Sequence, residues 1–381
     1  MNEPGRDEVK DSLYRKATKR RFPLAGTAEL SPICNMNCRM CYVRRTRSEV
    51  DLLGGLIGPE TWKKLLDEAY DAGMLFLLIT GGEPLVYDGF WDIYEHFSSK
   101  GIVITVNTNA TLIDEKAADR FLKNPPAKLN ITLYGTSNDT YERLCGNPHG
   151  FDQVMNAVKL LRDRNIPCKF NSSVTPENYY ELPEMYRIAE SFGIALQAAT
   201  YMFPPIRRDP SAVGKNARLD PVTAGKCKVF TDRMVLSNED FVRVASGSDA
   251  LANPVDSCEF VPQFTEGEKM RCRAGRSSFW ISWQGIMTSC GMLDFPQTFP
   301  LTEGFSPCWK KICDYTDGVR LSSECAACPQ KRLCNPCLAM SRCETGKSDG
   351  KPEYMCVMTD AMITEYRVWL NSGKGTLFNP D

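Results

Sequence analysis

The sequence of 381 residues contains only two histidines, His96 and His149, and we assign neither of them a catalytic role. Most catalytic zinc sites and most proton-relaying triads use histidine. This scarcity argues against a zinc hydrolase and against a serine- or cysteine-type triad. Any metal chemistry in this chain has to be carried by another kind of ligand.

Long apolar runs and an excess of charge are also missing. No run approaches the roughly 18 to 20 apolar residues that a membrane span requires. The first 21 residues are polar and lack the apolar segment of a secretory signal. The net charge is −1, whereas phosphate binding needs a basic excess. We therefore expect a cytoplasmic protein that has neither nucleic acid nor a membrane as its partner.

Cysteine, in contrast, is abundant, with seventeen in the chain. In a small secreted protein this would indicate disulfides, but the chain is large and we see no export signal. A reducing compartment leaves thiolates free to bind metal. Sites made of sulfur alone indicate structural zinc or iron–sulfur clusters.

Strand-like apolar runs alternate with helical stretches between residues 27 and 202. The six predicted strands span residues 27–33, 74–80, 102–109, 128–135, 167–175 and 194–202. Repeated β–α units fold as a parallel sheet with right-handed crossovers, either open or closed into a partial barrel. In both arrangements ligands bind at the carboxyl ends of the strands.

The chain divides by composition into three parts. Residues 1–26 are a charged N-terminal extension, which we expect to be irregular or a short helix, and residues 27–235 carry the alternating strands and helices. Regularity fades after residue 203, and residues 236–381 are rich in cysteine and poor in periodicity. We expect this last part to be organised by metal rather than by a large core.

The first group of cysteines directly follows the first predicted strand. Cys34, Cys38 and Cys41 have the spacing C-x3-C-x2-C, and Tyr42 follows the last of them. A structural zinc site is normally closed by four ligands. Three thiolates suit a cubane cluster with one open iron, which can take an amino and a carboxylate group. A zinc site completed by a distant cysteine is the alternative.

This loop, placed after the first strand of a β/α frame, resembles the signature of the radical S-adenosylmethionine superfamily. The resemblance implies an α/β fold, a partial (β/α)6 TIM-like barrel, with a [4Fe–4S] cluster on Cys34, Cys38 and Cys41. It also implies an enzyme in which the reduced cluster splits S-adenosylmethionine into methionine and a 5′-deoxyadenosyl radical.

Further cofactor contacts are implied by the same resemblance. Gly81, Gly82 and Glu83 follow the second strand and match the family's GGE motif, in which the glutamate binds the methionine amino group. Short polar residues and an arginine follow the next three strands at comparable places, although a structural role is equally open for each. The predicted contacts are Tyr42, Gly81, Gly82, Glu83, Asn107, Asn109, Thr132, Arg143 and Ser173.

The C-terminal cysteines resemble a SPASM domain, a small cysteine-rich domain that holds two auxiliary [4Fe–4S] clusters. The resemblance implies an outer cluster on Cys325, Cys328, Cys334 and Cys356. It implies an inner cluster on Cys272, Cys290 and Cys337, with either Cys258 or an open iron in the fourth place. The chain departs from the family in one respect, because Cys334 and Cys337 enclose two residues where the family often has three. Cys343 has no assigned role.

Enzymes that combine these two parts commonly modify ribosomally made peptides or proteins. We therefore expect hydrogen abstraction from a peptide or protein substrate, followed by an oxidative modification such as a crosslink or a thioether. The expected partners are that substrate and a flavodoxin- or ferredoxin-type reductant, with a separate leader-binding protein as an open option. A radical enzyme acting on a small metabolite and a non-enzymatic zinc or iron–sulfur module are the alternatives.

Overall fold

The structure is a computed structural model that describes residues 4–246 and 272–378. Cys258 lies outside the described residues, and so does its predicted role as a ligand. Within the described ranges, no helix is both long and apolar enough to cross a membrane.

Six strands of the central sheet follow one another as the sequence predicts. They are β1 (Ala25–Glu29), β2 (Phe76–Thr80), β3 (Val103–Thr108), β4 (Lys128–Thr132), β5 (Cys168–Ser173) and β6 (Leu196–Ala199). Each strand pairs in parallel with the next one, for example Ala25 with Phe76 and Thr132 with Asn171. This sheet, with its crossover helices, confirms the predicted partial α/β barrel.

Two further strands extend the sheet and were not predicted. They are β7 (Ser278–Ile281) and β8 (Met287–Thr288), and the full order is β6-β5-β4-β3-β2-β1-β7-β8. Strand β7 pairs in parallel with β1, and β8 pairs with β7 in antiparallel fashion. The cysteine-rich part of the chain therefore shares a sheet with the barrel.

Helices surround this sheet and cover the C-terminal part. The helices of the first half are α1 (Pro4–Arg20), α2 (Arg47–Leu52), α3 (Pro59–Asp71), α4 (Phe90–Ser99), α5 (Glu115–Lys123), α6 (Asn138–Cys145), α7 (Gly150–Asp163) and α8 (Leu182–Ser191). Those of the second half are α9 (Pro221–Val235), α10 (Asn238–Ala245), α11 (Pro300–Glu303), α12 (Phe305–Gly318), α13 (Ser323–Ala327), α14 (Lys331–Cys334), α15 (Leu338–Thr345) and α16 (Glu353–Ser372).

Helix α3 shows how these helices arise from the sequence. Pro59 occupies the first turn, where its missing N–H removes a donor that would have no partner within the helix. Trp62, Leu65 and Leu66 recur at helical spacing, and all three are buried. Their burial holds α3 against the sheet.

Helices α9 and α16 join the barrel to the C-terminal part through a close contact. A Cβ at Gly225 would lie 2.5 Å from the carbonyl oxygen of Met358, so only glycine allows the two helices to approach this closely. The hydroxyl of Tyr366 donates to Asp232 at 2.6 Å across the same contact. This packing places Cys356, on α16, next to the other C-terminal cysteines.

The structure differs from the sequence-based expectations at three places. The first strand spans Ala25–Glu29 rather than residues 27–33, because residues 30–33 leave the sheet to meet the glycine turn after β2. Helix α6 was not predicted, since it is short and polar, although Ser137 caps its start and Gly146 ends it with φ +67°. Residues 4–20, expected to be irregular or a short helix, form the 17-residue helix α1.

Candidate functional site

The cysteine loop between β1 and α2 is anchored on the C-terminus of α6. The backbone N–H of Asn37 donates to the carbonyl of Cys145 at 2.7 Å, and that of Arg39 donates to the carbonyl of Leu144 at 3.1 Å. These carbonyls belong to the last turn of the helix, where no intrahelical partner is available. The helix end therefore fixes the loop that carries Cys34, Cys38 and Cys41.

The three thiols of this loop lie within electrostatic reach of one another, and burial raises the pKa of Cys34 to about 12. The sulfur of Cys34 accepts from the backbone N–H of Met36 at 3.4 Å, and the sulfur of Cys41 accepts from that of Arg44 at 3.3 Å. A hydrogen bond with the thiol of Cys145 lowers the pKa of Cys38. Each sulfur thus has a donor that would stabilise a thiolate ligand, which fits an iron–sulfur cluster.

The glycine turn after β2 packs directly on the start of the cysteine loop. The N–H of Gly82 donates to the carbonyl of Ser31 at 2.7 Å, and that of Glu83 donates to the carbonyl of Ile33 at 3.0 Å. A Cβ at Gly81 or Gly82 would clash with these same carbonyl oxygens. Glycine is therefore required here by the close approach of two backbones beside Cys34.

Glu83 is completely buried, and its carboxylate is occupied by donors of the protein itself. It accepts from the hydroxyl of Thr108 at 2.8 Å and from the backbone N–H groups of Asn109 at 2.7 Å and Leu85 at 3.1 Å. Burial raises the pKa of Glu83 to about 7. In the structure this side chain joins the glycine turn to the end of β3, and its predicted contact with the methionine amino group stays a prediction.

A cleft of about 360 Å³ opens at the carboxyl ends of the strands, between the cysteine loop and β6. It is large enough for a small-molecule cofactor. Seven of the nine predicted cofactor contacts line it, together with the three cysteines. They are Tyr42, Gly81, Gly82, Asn107, Asn109, Thr132 and Ser173.

Two predicted contacts, Glu83 and Arg143, do not line the cleft. Arg143 lies on α6. Its guanidinium donates to the hydroxyls of Thr140 at 3.1 Å and Tyr180 at 3.0 Å, and it is not among the residues that line the cleft. Sequence reasoning also missed several lining residues. These are Met36, Met40, Val43, Thr80, Tyr134, Ser172, Gln197, Ala199 and Met202. The alternation of strand residues offers a signal for Gln197 and Ala199, which share one face of β6.

The C-terminal cysteines fall into two groups of neighbours. Cys334 lies within electrostatic reach of Cys325, Cys328 and Cys356, and burial raises the pKa of Cys334 to about 11. Cys337 lies within reach of Cys272 and Cys290, and all three line a cavity of about 40 Å³. The two groups have the memberships that the SPASM resemblance implies, and their ligation of iron stays a prediction.

Two observations bear on the metal that such groups could hold. In the part of the chain that the structure describes, no three Cys, His, Asp or Glu side chains are placed to hold a single metal ion. The sulfurs of Cys272 and Cys337 accept backbone N–H groups from Ala274 and Met340, each at 3.4 Å. Donors of this kind suit thiolates that ligate a cluster.

Tyr42 lines the cleft and lies near one cysteine of the three-cysteine cavity. Its phenol is buried, and burial raises its pKa. The thiols of both Cys41 and Cys290 lie within its electrostatic reach. Cys290 of the inner group therefore lies on the side of the cleft that Tyr42 lines.

Comparisons with known proteins agree with this geometry. The profile of the radical SAM superfamily matches residues 28–189, which include the end of β1, the cysteine loop, the glycine turn and β2 to β5. An AdoMet-dependent heme synthase of Methanosarcina barkeri is 21% identical over 84% of this chain and 92% of its own length. The antilisterial bacteriocin subtilosin biosynthesis protein AlbA of Bacillus subtilis is 24% identical over 83% of this chain and 67% of its own length.

Among solved structures, SuiB of Streptococcus suis has a similar fold, with a TM-score of 0.64 and 17% identity. It has been solved with S-adenosylmethionine and with its precursor peptide SuiA, and the match covers 93% of this chain and 81% and 82% of those chains. The predicted resemblance is therefore confirmed: residues 28–189 match the radical S-adenosylmethionine superfamily, and the chain is similar to AlbA in sequence and to SuiB in fold.

Proposed function

We propose that this radical S-adenosylmethionine enzyme abstracts hydrogen from a peptide or protein and installs an oxidative modification, such as a crosslink or a thioether. The observation that supports the proposal most strongly is the division of ten cysteines into three groups, of which one opens onto the cleft and a second lies beside it. When bound, a [4Fe–4S] cluster with S-adenosylmethionine supplies a 5′-deoxyadenosyl radical.

The proposal gives each group of residues a task. Cys34, Cys38 and Cys41 hold the first cluster. The polar side chains that line the cleft bind and orient the cofactor, since short amides and hydroxyls suit a ribose and a carboxylate. They are Asn107, Asn109, Thr132 and Ser173.

The two C-terminal groups of cysteines belong to an auxiliary domain. We propose that this domain comprises residues 236–381 and that residues 27–235 form the radical domain. The outer group is Cys325, Cys328, Cys334 and Cys356. The inner group is Cys272, Cys290 and Cys337, with Cys258 or an open iron completing it. An oxidative product requires that a substrate radical lose one electron, and a redox group next to the cleft can accept it.

The peptide substrate and the other partners are supported by kinship. A structure of SuiB contains its precursor peptide, and AlbA serves the biosynthesis of a bacteriocin. A flavodoxin- or ferredoxin-type protein would supply the electron for the first cluster, and a separate leader-binding protein would present the peptide. Free thiols that bind clusters need a reducing compartment, which favours the cytoplasm.

The test begins with anaerobic reconstitution and analysis of iron and sulfide. The proposal predicts about twelve irons per chain, since each of the three cubane clusters holds four. Replacing Cys34, Cys38 and Cys41 together by alanine should remove about four irons and all 5′-deoxyadenosine formation, with the auxiliary clusters retained. Peptides encoded next to this protein's own gene are then supplied as substrates. Mass spectrometry measures the loss of hydrogen from each peptide. Formation of 5′-deoxyadenosine without any change in peptide mass would contradict the proposal.

A small-molecule substrate is the second candidate, because the heme synthase of Methanosarcina barkeri matches most of this chain. The same assay with heme precursors in place of peptides distinguishes the two. Conversion of a heme precursor by the reconstituted wild type, and of no peptide, would favour this candidate.

A further inference from the structure

The cavity formed by Cys272, Cys290 and Cys337 contains polar groups that no other part of the described structure uses. The hydroxyls of Ser289 and Thr316 line it, and these residues are only 3% and 5% exposed. Within residues 4–246 and 272–378, neither hydroxyl has a hydrogen-bond partner. A buried hydroxyl without a hydrogen-bond partner costs about 1–3 kcal/mol. Both hydroxyls therefore call for a ligand that accepts a hydrogen bond from them.

The backbone is shaped to admit one of these hydroxyls. Gly275 has φ +68°, and a Cβ at this position would clash with the side-chain oxygen of Thr316. Glycine therefore leaves the space in which the hydroxyl of Thr316, on α12, reaches the turn that follows Cys272. Ser289 directly precedes Cys290, and both residues line the cavity.

A buried cation lines the same cavity. Arg276 is 2% exposed and donates to the carbonyls of Cys272 at 3.1 Å and Thr316 at 3.5 Å. Its Nε lies 3.6 Å from the carboxylate of Asp317, which also accepts from Nε of Arg21 at 2.9 Å. Two guanidinium groups thus share one carboxylate, which leaves a net positive charge beside the thiols.

We propose that Ser289, Thr316 and Arg276 raise the reduction potential of the inner auxiliary cluster, so that it accepts the electron of the substrate radical. The physical basis is that a buried [4Fe–4S] cluster resists the added negative charge of reduction, whereas hydrogen bonds to its sulfurs and a nearby cation stabilise that charge. This inference rests on the proposed function, in which Cys272, Cys290 and Cys337 hold the cluster.

The electron balance is simple. The substrate radical is oxidised by one electron and releases one proton to solvent water, and the inner cluster is reduced by that electron. The two hydroxyls and Arg276 stay in place and undergo no chemical change.

The experiment is a redox titration of the reconstituted full-length protein, followed by EPR of each cluster. We expect the midpoint potential of the inner cluster to become more negative in Ser289→Ala and Thr316→Val, and further so in Arg276→Gln. Arg276→Lys, which keeps the charge, should recover part of the Arg276→Gln shift. The outer cluster in the same sample is the internal control. Thr302→Val is the matched control, since the Thr302 hydroxyl is exposed and donates to the backbone carbonyl of Phe299 at 3.1 Å.

The outcomes separate this inference from the proposed function. About twelve irons per chain with an unchanged inner potential in Ser289→Ala and Thr316→Val would overturn the inference alone. About four irons would overturn the assignment of auxiliary clusters, and the inference with it. If Arg276→Gln loses iron through misfolding, the two hydroxyl variants decide. A shifted potential in an enzyme that modifies no peptide would support the inference and contradict the peptide substrate.

Discussion

The guanidinium of Arg207 binds both carboxylate oxygens of Glu29, with Nη2 at 2.8 Å from Oε1 and Nη1 at 3.1 Å from Oε2. Glu29 ends β1 and is 0% exposed, and Arg207 is 15% exposed. The same carboxylate accepts from Nε1 of Trp280, on β7, at 3.2 Å, and Arg207 also donates to the carbonyl of Gly291 at 2.6 Å. One ion pair therefore joins the barrel, the segment after β6 and the C-terminal part beside Tyr42.

Replacing Arg207 by methionine should destabilise the protein strongly. The carboxylate of Glu29 would remain buried without its cation, which typically costs about 3–5 kcal/mol. Anaerobic unfolding by urea, followed by circular dichroism, measures this loss. Arg187→Met is the control, because its ion pair with Glu184 is exposed (70% and 47%) and should contribute less than about 1 kcal/mol. Equal losses in the two variants would show that the buried pair does not hold the parts together.

A methyl group at Gly82 should disrupt the cofactor site. It would clash with the carbonyl oxygen of Ile33 and push the glycine turn away from the loop that carries Cys34. We expect Gly82→Ala to lose S-adenosylmethionine binding, measured by equilibrium dialysis, by at least tenfold, which corresponds to about 1.4 kcal/mol. Gly318→Ala is the matched control, since a methyl group there would have no atom within 4 Å and binding should not change. Binding in Gly82→Ala equal to that of the control would contradict the role of the close approach.

The sequence predicted those parts of the site whose signals are local. The spacing of Cys34, Cys38 and Cys41, and the Gly81-Gly82 pair after a buried strand, are each contained in a few consecutive residues. Their placement at the carboxyl ends of parallel strands follows from the order of strands and helices. Helical and strand periodicity therefore sufficed to bring the three cysteines and seven of the nine predicted contacts to the cleft.

Contacts between distant residues left no comparable signal. Arg207 and Glu29 are 178 positions apart, and each reads as an ordinary charged residue. The four residues of β7 find their partner in β1 some 250 positions earlier, and such pairing depends on tertiary packing rather than on local pattern. Ser289 and Thr316 become notable only because the fold buries their hydroxyls beside three thiols.

The contact between α9 and α16 should control the outer group of cysteines. In Gly225→Ala the new Cβ would lie 2.5 Å from the carbonyl oxygen of Met358, so α16 must shift and carry Cys356 with it. We expect a loss of stability of about 1–3 kcal/mol, as overpacking usually gives, and a weaker EPR signal from the outer cluster. Val222→Ala, an exposed change on the same helix, is the control. If the EPR signal of the outer cluster in Gly225→Ala were as strong as in the control, the proposed placement of Cys356 would be contradicted.

Glu83 should make stability depend on pH in a defined direction. Burial raises its pKa from 4.5 to about 7, so between these values the folded protein holds a proton that the unfolded chain has released. The folded state is then favoured by low pH, and the contribution of Glu83 to the free energy of unfolding falls as pH rises from 4.5 towards 7. Glu83→Gln cannot ionise and should lack this contribution, although it also weakens the hydrogen bonds from Thr108 and Asn109. The melting temperatures of the two anaerobic proteins, without added S-adenosylmethionine, are compared between pH 5 and 8. The melting temperature of the wild type minus that of Glu83→Gln should fall as pH rises. A rise in this difference would show that the folded protein favours the charged carboxylate.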